Sequence, residues 1–151
     1  MRLTLMTDYA LRLLMYVAQH PARLCTISEV ALAYDISEAH LMKVTHQLGL
    51  QGWIKTVRGK GGGMRLAHVP HDINLGAVVR GIEPDFALVE CFGRGSRCVL
   101  TGHCSLAGVL GGALQDFLAH LDGFSLADLL PGNDLPLKVG QRMKLERRRA
   151  K

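Results

Sequence analysis

Apolar positions in the first fifty residues recur at helical rather than strand spacing. From Thr7 to about Gln19 they cover nearly the whole circumference: Leu11, Leu14, Met15 and Ala18 share one side, Leu13, Tyr16 and Val17 another. A helix apolar on so many sides is one buried between several partners. Thr7 is its expected cap, and Asp8 stands in the first turn, where the helix dipole favours an acid. The run Thr26-Ile-Ser-Glu29 has the spacing of a capping box and opens a short helix to about Tyr34. Asp35 and Ile36 then make a tight turn, and Ser37 caps a second helix from Glu38 to about Leu50. Its inward positions are Leu41, Val44, Thr45 and Leu48; Glu38, His40, Lys43, His46 and Gln47 occupy the other face. A short helix, a tight turn and a longer helix form the helix-turn-helix pattern.

After Leu50 the pattern changes period. Trp53–Val57 reads as a β-branched strand, Gly59–Gly63 as a turn and Met64–Ala67 as a return strand. Arg58, Lys60 and Arg65 flank this hairpin, so the whole reads as a winged helix. Another short helix is expected from Ile73 to about Gly81, with Asp72 as its cap. Periodicity fails between Glu83 and Cys104, a stretch punctuated by Gly93, Gly95 and Gly102. It resumes from Ser105 to Leu121 with Leu106, Leu110, Ala113, Phe117 and Leu121 along one stripe. Gly108, Gly111 and Gly112 inside that helix each cost about 1 kcal/mol against alanine. Such a helix needs another backbone close by, from the same chain or from a second subunit. Ser125–Leu130 adds one more helical turn, and from Pro131 onward the Gly, Pro and basic residues lack periodicity, so disorder is expected. The fold class is mainly α with a small β-hairpin, a winged helix-turn-helix followed by a long helix.

The 151 residues are 48% hydrophobic and 21% charged, a globular composition with enough apolar material for a core. Every apolar run falls short of the roughly 18 residues of a membrane span, and Asp8 and Arg12 interrupt the place of a signal peptide's apolar segment. The expectation is a soluble cytoplasmic protein without a membrane partner. The net charge of +5 is unevenly spread: from Lys138 onward seven cations face Glu146 alone, a net +6, which leaves −1 for everything before. Within that near-neutral body, residues 39–71 hold no acid but carry Lys43, Lys55, Arg58, Lys60 and Arg65. This selective cationic stretch coincides with the winged helix, and duplex DNA is the polyanion it suits. The second helix would enter a major groove, with Ser37, His40 and Lys43 reaching phosphate or base edges; Arg58, Lys60 and Arg65 would serve the wing at the backbone or minor groove. For any one of these side chains an ordinary solvated face is the plain alternative. The basic tail would either add sequence-independent attraction or simply be solvated. An enzyme is not expected, because a nucleophile–base motif, a P-loop and a dinucleotide fingerprint are all missing from the sequence.

Four cysteines remain. In a cytosolic protein a structural disulfide set is disfavoured, so metal or redox chemistry takes precedence. Cys91, Cys98 and Cys104 fall within the glycine-punctuated stretch, with Arg94, Arg97 and His103 among them to favour thiolates. Their C-x6-C-x5-C spacing lacks the C-x2-C pairs of structural zinc and suits a larger object such as an iron–sulfur cluster. Incidental loop thiols are the plain alternative. Cys25, just before the helix-turn-helix, reads as a small buried core residue.

Taken together, the opening Met-Arg-Leu-Thr-Leu-Met-Thr-Asp-Tyr-Ala-Leu-Arg, the helix-turn-helix from Ile27, the Arg58-Gly-Lys-Gly-Gly-Gly wing and the three ordered cysteines resemble the NsrR-type nitric-oxide-sensing repressors. These share a superfamily with the iron–sulfur biogenesis regulator IscR. The resemblance spans about residues 1–130. It implies a homodimer that binds operator DNA and holds one cluster per subunit on Cys91, Cys98 and Cys104. A 4Fe–4S cluster is the first expectation and 2Fe–2S the alternative. In characterised relatives an acid from the first helix of the other subunit supplies the fourth ligand, and Asp8 stands in that place; pairing with Arg12 four residues on is its plain alternative. The IscR-like pattern puts a histidine three residues after the last cysteine, where this chain has Ala107, which favours the nitric-oxide branch. The six-residue first interval departs from the pattern. The implied division is 1–82 for the DNA-binding domain, 83–104 for the cluster loop, 105–130 for the dimerisation helix and following turn, and 131–151 for the tail. The alternatives are a zinc- or thiol-based redox regulator, or a regulator of cluster biogenesis, on the same scaffold.

Overall fold

The computed structural model describes residues 2–93, 95–100 and 102–132. Among them five α-helices and one hairpin follow in the order α1 (Leu5–Ala18), α2 (Ile27–Tyr34), α3 (Glu38–Leu50), β1 (Ile54–Val57), β2 (Gly63–Leu66), α4 (Leu75–Ile82) and α5 (Ser105–Asp122). Short 3-10 turns occupy Pro70–Asp72, Glu90–Phe92 and Leu126–Leu129. The mainly helical winged helix-turn-helix expected from the sequence is therefore the fold observed.

Local chemistry accounts for the helix boundaries. Thr26 and Glu29 close a reciprocal capping box on α2, and Asp35 ends that helix in the left-handed conformation, with φ of 53°. Ser37 caps α3 through the His40 N–H. Two expected caps are displaced. Thr4 rather than Thr7 caps α1, because Thr4 Oγ accepts the Thr7 N–H at 3.4 Å and the helix begins a turn earlier. Asp72 lies in a 3-10 turn led by Pro70, and Asn74 caps α4 instead, taking the Ala77 N–H at 2.9 Å. Ile73, read as the first helical residue, is extended and fully buried.

Helix α1 is the centre of the core. Ala10, Leu13, Leu14, Val17 and Ala18 are buried, while Met6, Tyr9, Leu11, Met15 and Tyr16 pack against the same cluster from their partly covered positions. Leu41, Val44 and Leu48 of α3, Ile54 and Met64 of the hairpin, and Val78 of α4 close around it. The hairpin is antiparallel with Ile54 opposite Leu66 and Lys55 opposite Arg65. Cys25 adds a one-residue third strand, exchanging backbone hydrogen bonds of 2.9 and 2.8 Å with Met64. The Cys25 side chain is fully buried, as read from the sequence, and burial pushes its thiol pKa up.

Helix α5 leaves most of its surface uncovered. Leu118 is its one buried residue among those described, whereas Leu106 and Val109 are 61% and 69% exposed. A Cβ built at Gly108 or Gly112 would meet nothing within 4 Å, and one at Gly111 would only touch Phe92 at 3.8 Å. Among the described residues, no backbone comes close to Gly108 or Gly112 as these glycines would call for. The C-terminal end of α5, by contrast, is firmly held. Asp122 takes a bidentate ion pair from Arg80 of α4 at 2.6 and 2.5 Å, Asn74 donates to the Asp122 carbonyl at 2.7 Å, and Leu126 N–H reaches Ile73 O at 2.8 Å.

Candidate functional site

On the recognition surface, Ser37, His40 and Lys43 are all exposed at the start of α3. Ser37 Oγ caps the helix and lies 2.9 Å from His40 Nδ1, so these two side chains form one polar group. The His40 ring also meets Tyr9 of α1, centroids 6.1 Å apart, a contact the sequence reading missed. One helical turn on, Lys43 extends the same face. Inward of these, Leu41, Val44, Thr45 and Leu48 are buried, which fixes the rotation of α3 and turns its polar face outward.

Arg58, Lys60 and Arg65 are exposed on the hairpin. The tight turn between the strands depends on glycine at Gly62, where a Cβ would stand 2.3 Å from the Val57 carbonyl oxygen. Arg58 and Lys60 thereby share a narrow tip, while Arg65 sits lower, directly across from Lys55. The structure so brings the six predicted residues into two groups, one on the helix and one on the wing.

The cysteine loop joins the winged domain to α5. Cys91 lies in the 3-10 turn Glu90–Phe92, Cys98 in an irregular stretch, and Cys104 at the N-cap position of α5, where a thiolate would face the positive end of the helix. All three thiols are half-buried. Two polar contacts shape the loop: Glu90 accepts the Arg97 N–H at 3.0 Å, and Ser96 Oγ accepts the Cys98 N–H at 3.2 Å. Arg94, read as part of this electrostatic setting, lies outside the described residues, as does the basic tail from residue 133. Among the described residues, no three His, Cys, Asp or Glu side chains are close enough together to hold a single metal ion. Asp8, on the first turn of α1, is half-exposed and pairs with Arg12 at 2.8 Å.

A residue that sequence reasoning passed over anchors the near end of this loop. Glu83, the C-cap of α4, accepts the Thr4 N–H at 3.2 Å and the Thr4 hydroxyl at 3.1 Å, and it also accepts the buried Thr7 hydroxyl. The loop's start is therefore tied to the N-terminal end of α1, the same turn that carries Asp8. A single acid between a helix and a glycine-rich segment gave no signal of its own; the second threonine of the Thr4-x-x-Thr7 pair was the available clue. Beside this anchor a cavity of about 580 Å³ separates Leu3 and Phe86–Val89 from Leu110, Leu114 and Phe117 of α5.

Fold and surface together define a winged-helix transcription regulator, with a thiol-bearing loop between its DNA-facing domain and a solvent-exposed helix. Residues 3–132 match the family described as Rrf2, iron-dependent transcriptional regulator. The chain is 45% identical over 141 residues to the HTH-type transcriptional regulator NsrR of Bacillus subtilis, covering 92% of this chain and 97% of that one. It is 48% identical over 132 residues to the NsrR of Geobacillus kaustophilus, covering 86% and 90%. Among solved structures, IscR of T. potens superimposes with a TM-score of 0.69 at 23% identity over 85% of each chain. The oxidised form of CymR from Staphylococcus aureus does so with 0.70 at 20% identity, over 89% of this chain and 100% of that one. The chain belongs to the Rrf2 family of iron-dependent transcriptional regulators, as an NsrR-type member. It is a transcriptional regulator and not an enzyme. No described helix is long and apolar enough to cross a membrane.

Proposed function

We propose that this regulator is a cytoplasmic homodimeric repressor that holds an iron–sulfur cluster on Cys91, Cys98 and Cys104 and gives up its operator when nitric oxide reaches that cluster. The observation that carries the reading is the partition of the thiols. Cys25 is sealed in the core, while the other three are half-buried and confined to one irregular loop between the winged domain and α5. By donor type and exposure the trio fits an iron–sulfur cluster, 4Fe–4S first and 2Fe–2S as the alternative. Among the described residues no single-ion site is preformed, so in this reading ligation requires the loop to close and a fourth donor to arrive. Asp8 of the partner subunit is that donor in this reading, exchanging its Arg12 partner for iron.

When bound, the cluster supplies the irons with which nitric oxide reacts. The chain's own part is mechanical. Glu83 holds one end of the loop against α1, and Cys104 fixes the other end to the start of α5. Release of the thiols lets the loop move relative to both helices, and with them the angle between the two recognition helices of the dimer. Ser37, His40 and Lys43 then lose their register on the major groove, and Arg58, Lys60 and Arg65 theirs on the backbone and minor groove. A dimer of this build reads a pseudo-palindrome with half-sites about one helical turn apart. Swinging occupancy from about 99% to about 1% takes about 5.5 kcal/mol of differential affinity.

Anaerobic purification followed by iron and sulfide analysis and a gel shift tests this. The expected protein is brown, binds an operator duplex when loaded, and releases it on adding nitric oxide. Cys98→Ala should be colourless and fail to repress. Equal binding by loaded and metal-free protein, or preparations lacking iron and sulfide after reconstitution, would overturn the reading.

A further inference from the structure

On the flank of the hairpin, away from the turn, a cleft of about 380 Å³ opens between the C-terminal end of α1 and the strands. Lys55, Arg65, His68 and His20 line it, and no acid does. Lys55 and Arg65 are direct cross-strand partners. Directly paired residues project to one face with Cβ atoms about 5 Å apart, and like charges in that arrangement destabilise a sheet. Among the described residues no acid forms an ion pair with either. His20 is oriented by its ring: Nδ1 donates to the Tyr16 carbonyl at 2.8 Å, and the ring stacks on that of Tyr16. Two cations paired across the strands, with two imidazoles in the lining and no acid there, form a concavity suited to an anion brought from outside.

We propose that this cleft is a second DNA-backbone site, in which Lys55, Arg65 and His68 clasp phosphodiester oxygens beside the groove entered by the wing. The inference rests on the reading of the protein as a DNA-binding repressor and extends it to Lys55, His68 and His20, none of which lies at the wing tip or on the recognition helix. Continuity supports the duplex as occupant. Lys55 stands on β1 and Arg58 just past its end, about 10 Å along the chain at roughly 3.3 Å per residue, so the cleft borders the cationic tip of the wing. The guanidinium fork of Arg65 suits paired phosphate oxygens, and Lys55 adds a point charge. Such contacts position the protein without reading sequence.

The test is fluorescence anisotropy on cluster-loaded dimer with two duplexes: an operator selected by the wild type from a random library, and a 40-base-pair duplex of scrambled sequence (about four helical turns). For the double variant Lys55→Gln/His68→Gln the expected result is an affinity loss of about tenfold, equal on both duplexes, with a salt slope shallower by about one unit per lost phosphate. Lys55→Glu separates binding from folding. It should pair with Arg65 across the strands and raise the melting temperature by about 1–4 °C, while weakening both duplexes further. Wild-type affinity and slope in both variants, with Arg58→Gln still weakening the operator, overturns this site and leaves the repressor reading standing. Failure of the wild type to retain any duplex overturns the repressor reading itself. If inorganic phosphate at constant ionic strength displaces DNA from the wild type but not from the double variant, the cleft takes free phosphate and the DNA assignment is wrong.

Discussion

Thr4 gives Glu83 both its backbone N–H and its hydroxyl, and Thr7 adds a second hydroxyl from a side chain with no exposed surface. The carboxylate thus replaces water for three donors at the start of α1, and it does so from a residue 79 positions away. Hydrogen bonds to charged groups are worth more than neutral ones, and an abandoned buried donor bears its full desolvation cost. Thr7→Val keeps the shape and removes one donor, so it should lower unfolding free energy by about 1.5–3 kcal/mol. Glu83→Ala should cost more, because Thr4 also loses its partner. Urea denaturation at neutral pH measures both, and equal stability of the two variants would show that the Thr4 contacts contribute nothing. Cys25 makes the complementary case. Its thiol packs in the core against Met64 and takes no part in the loop, so Cys25→Ala should reduce stability by about 1 kcal/mol while iron per subunit stays at the wild-type value. Colorimetric iron analysis on the purified variant reads this directly; loss of iron would place Cys25 among the ligands.

The elements divide into those packed within this chain and those left largely uncovered among the described residues. Helices α2 and α3, and the body of α1, were readable because their constraints are local or periodic: the Thr26–Glu29 box, the Ser37 cap, and the inward set Leu41, Val44, Thr45 and Leu48. The hairpin was readable from its β-branched strands and glycine turn. What escaped was tertiary in origin. Thr4 and Thr7 are equally good caps by type, and only Glu83, far along the chain, holds Thr7 inside the helix. Pro70 competes with Asp72 for the entry to α4, and Asn74 prevails because it also binds the carbonyls of Asp122 and Phe124. The three loop cysteines were visible by clustering, but among the described residues they do not come together with other donors into a single-ion site; in the function we propose, a bound cluster draws them together. Helix α5 shows the same limit in its glycines, whose exposed side fits a second copy in the homodimer we propose. Gly112→Leu therefore should leave helicity by circular dichroism unchanged, since nothing among the described residues outside its own helix lies within 4 Å of the added carbon, and should shift sedimentation from dimer toward monomer. A dimer of wild-type affinity would remove Gly112 from the interface.

For the molecule as a whole, the joints that hold α2, α5 and the final turn are carboxylates, which makes acid the condition to which the fold responds. Glu29 is held below the ordinary carboxyl range first by the Thr26 N–H and then by Arg23; Asp122 by Arg80; Asp128 by the Ser125 N–H. Depressed folded values mean that the unfolded chain binds protons more readily than the native one. Their stabilisation is complete above the unfolded carboxyl values near pH 4 and is lost as pH falls through the lower folded values. Each group reaches solvent, so screening keeps the individual effects small. The buried Cys25 thiol works in the opposite direction. Its folded value is raised, so its contribution is complete below the unfolded value near 8.5 and is lost as pH climbs through the folded one. Stability should accordingly be flat between about pH 5 and 8 and decline on both sides. Asp122→Asn cannot titrate, and it also loosens the α4–α5 joint where Gly76 lets Asp122 approach, a Cβ there standing 2.0 Å from its Oδ1. That variant should begin less stable at pH 7 and lose less on acidification than the wild type, whereas Cys25→Ala should flatten the alkaline side alone. Urea midpoints measured from pH 3 to 10 separate these outcomes, and parallel acid limbs for wild type and Asp122→Asn would remove the Arg80–Asp122 pair as a source of the pH response.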